Sequence, residues 1–243
     1  MGSVLLPPFA GLIMGSAAAG LQYVGGMTGT GAANDRDVTF SLTSLTGGIA
    51  SQPAEDDIVI VAGQLEQGAN RAVAITGYDL SLDLYSSDSY RTNMTVGYKV
   101  MGATPDTSFE VTSSGISSNN AWAVCAQVWR GVDTVTPMDV TQVTSDGNNN
   151  SGIPNPPSIT PVTAGAIIIA MGASGSQNTT LFTNSELSNF LAVSVDPNRA
   201  SNVGMGSYEW SGSGAFDPVA FTLPGSDAAN RSWAAATFAL RPA

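Results

Sequence analysis

Histidine is missing from this 243-residue chain, and cysteine occurs once, as Cys125. The first absence removes the commonest general base and the commonest metal ligand together. It also rules out a Ser-His-acid mechanism for the several Gly-x-Ser stretches. A single cysteine leaves no intramolecular disulfide, and Cys125, set in the apolar run 121–128, reads as an inert core thiol. Charge is scarce too: 11% of residues are Asp, Glu, Lys or Arg, against about 25% in ordinary soluble domains. Only 8 residues are basic against 19 acidic, a net charge of −11. Without a basic stripe the chain cannot displace counterions from phosphates, so nucleic acid is not an expected partner. An anionic membrane would repel it. No cofactor or metal is expected.

What is there is apolar and repetitive. Hydrophobic residues make up 43% of the chain, so Ser, Thr, Asn and Gly have replaced charge, not core. Three patterns occur twice: Asp37-Val38-Thr39 and Asp139-Val140-Thr141; Pro53 with Ile58 to Ala62, and Pro161 with Ala166 to Ala170; Asn119, Trp122 and Arg130, and Asn230, Trp233 and Arg241. Their offsets drift from 102 to 108 to 111, as in a duplication with small insertions. Strict alternation at Val38-Phe40-Leu42, Leu80-Leu82-Leu84, Leu191-Val193-Val195 and Val219-Phe221-Leu223 predicts half-buried strands. The runs 58–62 and 167–170 are apolar throughout, which predicts central strands covered on both faces. Residues 184–190 suit one short helical turn.

These patterns predict an all-β, jelly-roll-like β-sandwich over 37–243, with similar halves at 37–130 and 139–241 packed face to face. Two tandem small sandwiches are the alternative. The break at 145–157, rich in Asn, Gly and Pro, falls between the halves as a crossing loop or a linker. Residues 1–36 are expected to form an assembly arm anchored by Phe9, Leu12, Ile13, Met14 and Leu21. A signal peptide fits poorly, because no Lys or Arg precedes Arg36 and Pro7-Pro8 breaks the apolar run.

Candidate sites are few. Trp122 and Trp233 begin matched strands and read as core. Trp129 and Trp210 have no Trp partner in the other copy, and Trp210, in Tyr208-Glu209-Trp210 before a Gly/Ser tip, is the candidate for an exposed sugar contact. Asp146 to Gly152 alternates oxygen ligands but misplaces the glycine and terminal Glu of a calcium loop. Glu55-Asp56-Asp57 could pair an acid with a base, yet it reads as a solvated approach to a strand.

The run Val128 to Val140, VWRGVDTVTPMDV, resembles the "RGVD…TP-hydrophobic-D" signature of modules encoded by tailed bacteriophages and found in some bacterial surface proteins. The later stretches Thr160 to Ile169 and Trp233 to Pro242, and Gly97-Tyr98-Lys99-Val100 before the signature, are similar to theirs. The resemblance spans about residues 38–243. It implies a β-sandwich on the virion surface, as a capsid decoration, head fibre or tail-fibre component, in which Arg130 and Asp133 form a salt-bridged turn without catalytic duty.

The expectation is therefore a non-enzymatic virion structural protein, a homo-oligomer (a trimer favoured), with other capsid or tail proteins as partners. A glycan-binding module for host attachment, using Tyr208, Glu209 and Trp210, is the alternative. A glycosidase built on Asp56 and Asp57 is the weakest.

Overall fold

A computed structural model of the chain describes residues 20–87, 91–117, 119–147, 152–175, 180–195, 201–223 and 231–243. Among the described residues thirteen strands form three antiparallel sheets. The first large sheet contains β1 (Gln22–Thr30), β3 (Ile58–Gln67), β5 (Leu80–Ser86), β6 (Arg91–Val100) and β8 (Ala123–Arg130), in the order β1-β8-β3-β6-β5. The second contains β9 (Val143–Gly147), β10 (Ile167–Ser174), β11 (Ser188–Ser194), β12 (Asn202–Glu209) and β13 (Trp233–Leu240), in the order β11-β12-β10-β13-β9. Read from the other edge, the second order matches the first strand for strand. The duplication is visible in the topology.

Register fixes the equivalences. Ile58 faces Trp129 across β3 and β8, and Ile167 faces Leu240 across β10 and β13. Trp122 and Trp233 are 111 apart, as are Trp129 and Leu240, so Ile58 corresponds to Ile167 at an offset of 109. The sequence match through Pro53 and Pro161 is one residue short of this. In a strand that slip exchanges faces. The Asp37 and Asp139 match fails altogether: Asp37 precedes β2 (Val38–Ser41) of the small sheet, whereas Asp139 lies in the connection before β9.

The halves pack face to face. Ile58, Ile60, Met94, Val96 and Cys125 of one sheet share a buried core with Ile169, Met171, Val203, Met205 and Phe238 of the other. The sandwich expected from the alternating strands is present. Each half keeps its five strands in one sheet, and each sheet also has a second covered face. Over the first half this cover is the small sheet β2-β7-β4, completed by β4 (Val73–Ile75) and β7 (Ser108–Ser113). Over the second half, isolated bridges Ile159 to Phe216 and Thr183 to Thr222 repeat the same order without full strands. Double cover explains why 58–62 and 167–170 are apolar at every position.

Several expectations change. Residues 22–30 are not an arm: they form the edge strand equivalent to β9, so the first half begins before residue 37, and Leu21 packs against the core between the sheets. The Gly-rich stretch Val24-Gly25-Gly26 hid this strand, because its alternation is broken by a register shift between Tyr23 and Gly25. Phe9, Leu12, Ile13 and Met14 lie outside the described residues. The break at 145–157 does not separate the halves either, since β9 runs into it; the crossing segment is 131–142. Residues 188–190 belong to β11, and Asn184 Oδ1 accepts from the Glu186 and Leu187 amides in a turn, not a helix.

Gln22 pairs with Arg130, and the Ala243 amide donates to the Gly131 carbonyl. Both ends of the described chain therefore lie at one pole of the body, beside the crossing segment.

Candidate functional site

The signature residues build that pole. Gly131 takes a positive φ of 82°, which turns the chain out of β8. Arg130 does not pair with Asp133. Its Nε and a terminal nitrogen donate to the two carboxylate oxygens of Asp57 at 2.8 and 2.9 Å, a fork on a side chain with no solvent exposure. Asp57 is thus not solvated, contrary to the reading of the acidic triplet. Asp133 instead accepts from the Val135 and Thr136 amides, which hold its carboxyl below the usual range.

The same closure recurs on the second half. Arg241 Nε donates to Asp139 Oδ1 at 3.2 Å and a terminal nitrogen donates to the Asp139 carbonyl. Asp139 Oδ2 accepts from the Val162 and Thr163 amides. Burial opposes ionisation of this carboxyl, but the Thr163, Val162 and Arg241 donors outweigh it and hold the pKa below the ordinary value.

A groove of about 320 Å³ opens at the same pole, where the β1 edge of one sheet meets the β11 edge of the other. Leu21, Tyr23, Trp129 and Ile167 give it apolar walls; Ser188, Asn189, Ser207 and Glu209 give it polar ones. Both edge strands are irregular at this point: β1 shifts register between Tyr23 and Gly25, and β11 between Ser188 and Leu191. Asn189 sits at a positive φ of 49° within the second irregularity, a strained backbone for a non-glycine residue.

A chain of hydrogen bonds stiffens the groove. Trp129 Nε1 donates to Gln127 Oε1 at 3.0 Å, and Gln127 Nε2 donates to the Asn189 carbonyl at 2.8 Å. Asn189 Nδ2 donates to Ser207 Oγ, which donates in turn to the Ser188 carbonyl. Tyr23 and Trp129 meet at 5.3 Å between centroids. Burial, with a smaller contribution from Cys125, pushes the Tyr23 hydroxyl up to about 12.

The sequence candidates divide on this geometry. Glu209 is exposed and lines the groove. Tyr208, its neighbour on the opposite face of β12, stacks on Phe216 with centroids 3.8 Å apart. Trp210 is not an exposed contact: it is 7% exposed, lies in the core on the outer face of the second sheet, and donates Nε1 to the Gly214 carbonyl. The Gly/Ser tip that suggested exposure is the partner that covers it. Tyr23, Ser188 and Asn189 were missed; the unmatched Trp129 was the one signal available for this place. Among the described residues no group of three or more His, Cys, Asp or Glu could hold a metal ion.

No protein-family model, curated protein or solved structure matches the chain.

Proposed function

We propose that the chain is a non-enzymatic structural module displayed on the surface of a tailed-phage particle, attached through the pole that carries both of its described ends. The observation that carries this reading is the placement of the signature: Arg130, Gly131, Asp133 and Asp139, the residues of the resemblance, all bind backbone or close a sheet at that pole. The apolar side chains Val135 and Val162, 90% and 69% exposed, stand there too and offer contact to a neighbouring virion protein. Homotrimeric assembly belongs to the same proposal, with residues 1–19 as its anchoring segment.

Immunogold electron microscopy of density-purified particles from the source culture tests the proposal. Labelled particles support it; label confined to cell envelopes or free protein overturns it. Light scattering on the purified full chain tests the trimer, which a monomeric mass would refute.

A further inference from the structure

The duplication supplies an internal control for the groove. The approximate two-fold relation between the halves places β1 beside β11 on one side and β9 beside β5 on the other. Register then pairs each groove residue with a counterpart at the second seam. Tyr23 faces Trp129 as Met138 faces Leu240, Ser188 faces Ser207 as Leu80 faces Tyr98, and Glu209 stands where Val100 stands. At the second seam Leu80, Tyr98, Val100 and Met138 pack against the shared core. At the first, a leucine, a tyrosine and a valine are represented by serine, serine and glutamate. One seam is closed by apolar side chains, and the other is open and polar.

Sandwich stability alone does not ask for this departure. Each apolar-to-polar exchange forgoes part of the about 1.5–3 kcal/mol that full burial of a large apolar side chain gives, since Leu80, Tyr98 and Val100 are partly buried, and the strained Asn189 adds a further cost. From the open seam, its two facing irregular edges and its stiffened walls, we infer that the groove is a binding site for a neutral saccharide ring. Its volume sits at the lower end of the roughly 300–1,000 Å³ of small-molecule sites. Tyr23, half-buried at the wall, supplies ring surface for the C–H face of a sugar, and the buried Trp129 backs it at 5.3 Å between centroids. Among the described residues the Glu209 carboxylate and the Ser188 hydroxyl have no hydrogen-bond partner, and Asn189 Oδ1 is likewise unengaged, which leaves acceptors for sugar hydroxyls. Among the described residues no Lys or Arg lines the groove, so an anionic ligand would meet only the Glu209 charge.

The inference goes beyond the virion reading and does not rest on it; particle labelling can succeed or fail independently. The test is a titration of the full ¹⁵N-labelled chain with glucose, galactose and N-acetylglucosamine at millimolar concentration, followed by amide and indole shifts. Expected are saturable shifts at Ser188, Asn189, Ser207 and Glu209 and at the Trp129 indole. Glu209→Val, which installs the residue of the closed seam at an exposed position, should weaken binding by about tenfold or more. Absence of shifts with all three sugars, shifts confined to the Tyr208–Phe216 face, or unchanged affinity in Glu209→Val would each overturn the inference.

Discussion

Asp57 and Asp139 hold equivalent arginines from non-equivalent places in the chain. Asp57 belongs to the turn that leads into β3, and its own Oδ2 accepts from the Ala54 amide. In the second half the matching turn ends in Ala166, and the carboxylate that accepts from Thr163 is Asp139, contributed by the crossing segment. The turn itself is kept: the Asp57 amide donates to the Ala54 carbonyl as the Ala166 amide donates to that of Thr163. Its left-handed residue is Asp56 in one half and Gly165 in the other, with φ of 65° and 82°. A buried acceptor for the arginine and the turn amide was retained while its source moved.

Because the folded pKa of Asp139 is depressed, its contribution to stability is present above the unfolded value of about 3.9 and is lost as pH falls through the folded value. Asp139→Asn should destabilise the chain by about 1–3 kcal/mol at neutral pH and flatten the acid limb of the stability profile. Urea unfolding between neutral pH and about pH 3 measures both. An acid limb as steep as that of the parent would refute the assignment.

Gln64 is wholly buried, and among the described residues neither its Oε1 nor its Nε2 has a partner. It points into the core between the sheets, where the second half carries Ala173. A buried amide without partners costs about 1–3 kcal/mol, so Gln64→Met, which keeps the length, is expected to raise the unfolding free energy by that order. A lowered denaturation midpoint would contradict it.

For Trp210 the expected loss is of fold, not of recognition. Its position matches Met101: the amides of both donate to the turn carbonyl before the first inner strand, Met101 to Asp57 and Trp210 to Ala166. Trp210→Ala should cost about 3–5 kcal/mol, measured by thermal or urea unfolding. A stable variant with lost sugar affinity would reverse this view.

Two strand glycines should respond differently to alanine. A Cβ on Gly97 would collide with the backbone carbonyl of Leu80, which cannot move without disturbing the β5–β6 pairing. At Gly63 the nearest atoms are side-chain carbons of Thr95 and Trp122 at 3.3 and 3.4 Å. Gly97→Ala is expected to lose at least about 2 kcal/mol and Gly63→Ala under about 1. Equal losses would show that packing around Trp122 is as unyielding as backbone.

The central strands were legible because burial on both faces favours apolar residues at every position, as Ile58 to Ala62 shows, although the same strand goes on to bury Gln64. Alternation likewise exposed Leu80, Leu82 and Leu84. β1 was not legible: its glycines carry no hydrophobic signal, and its edge pairing with β8 is a long-range choice. The cover over the second half was legible only in part: Phe221 and Leu223 are buried as their alternation predicts, but Val219 is exposed and the segment makes single bridges, not a strand. The groove escaped for another reason. Tyr23, Trp129, Asn189 and Glu209 lie on four strands, and nothing in their local sequence announces that two edges will meet.

The approach of Gln22 to Arg130 and of Ala243 to Gly131 has a practical side. A reporter or affinity tag joined directly at Gly20 or after Ala243 would sit next to the groove and to Val135, crowding the surfaces most in need of free access. Insertion near Gly115, beyond the opposite ends of β3 and β8, would leave them clear, so labelling strategy will decide what such experiments are able to see.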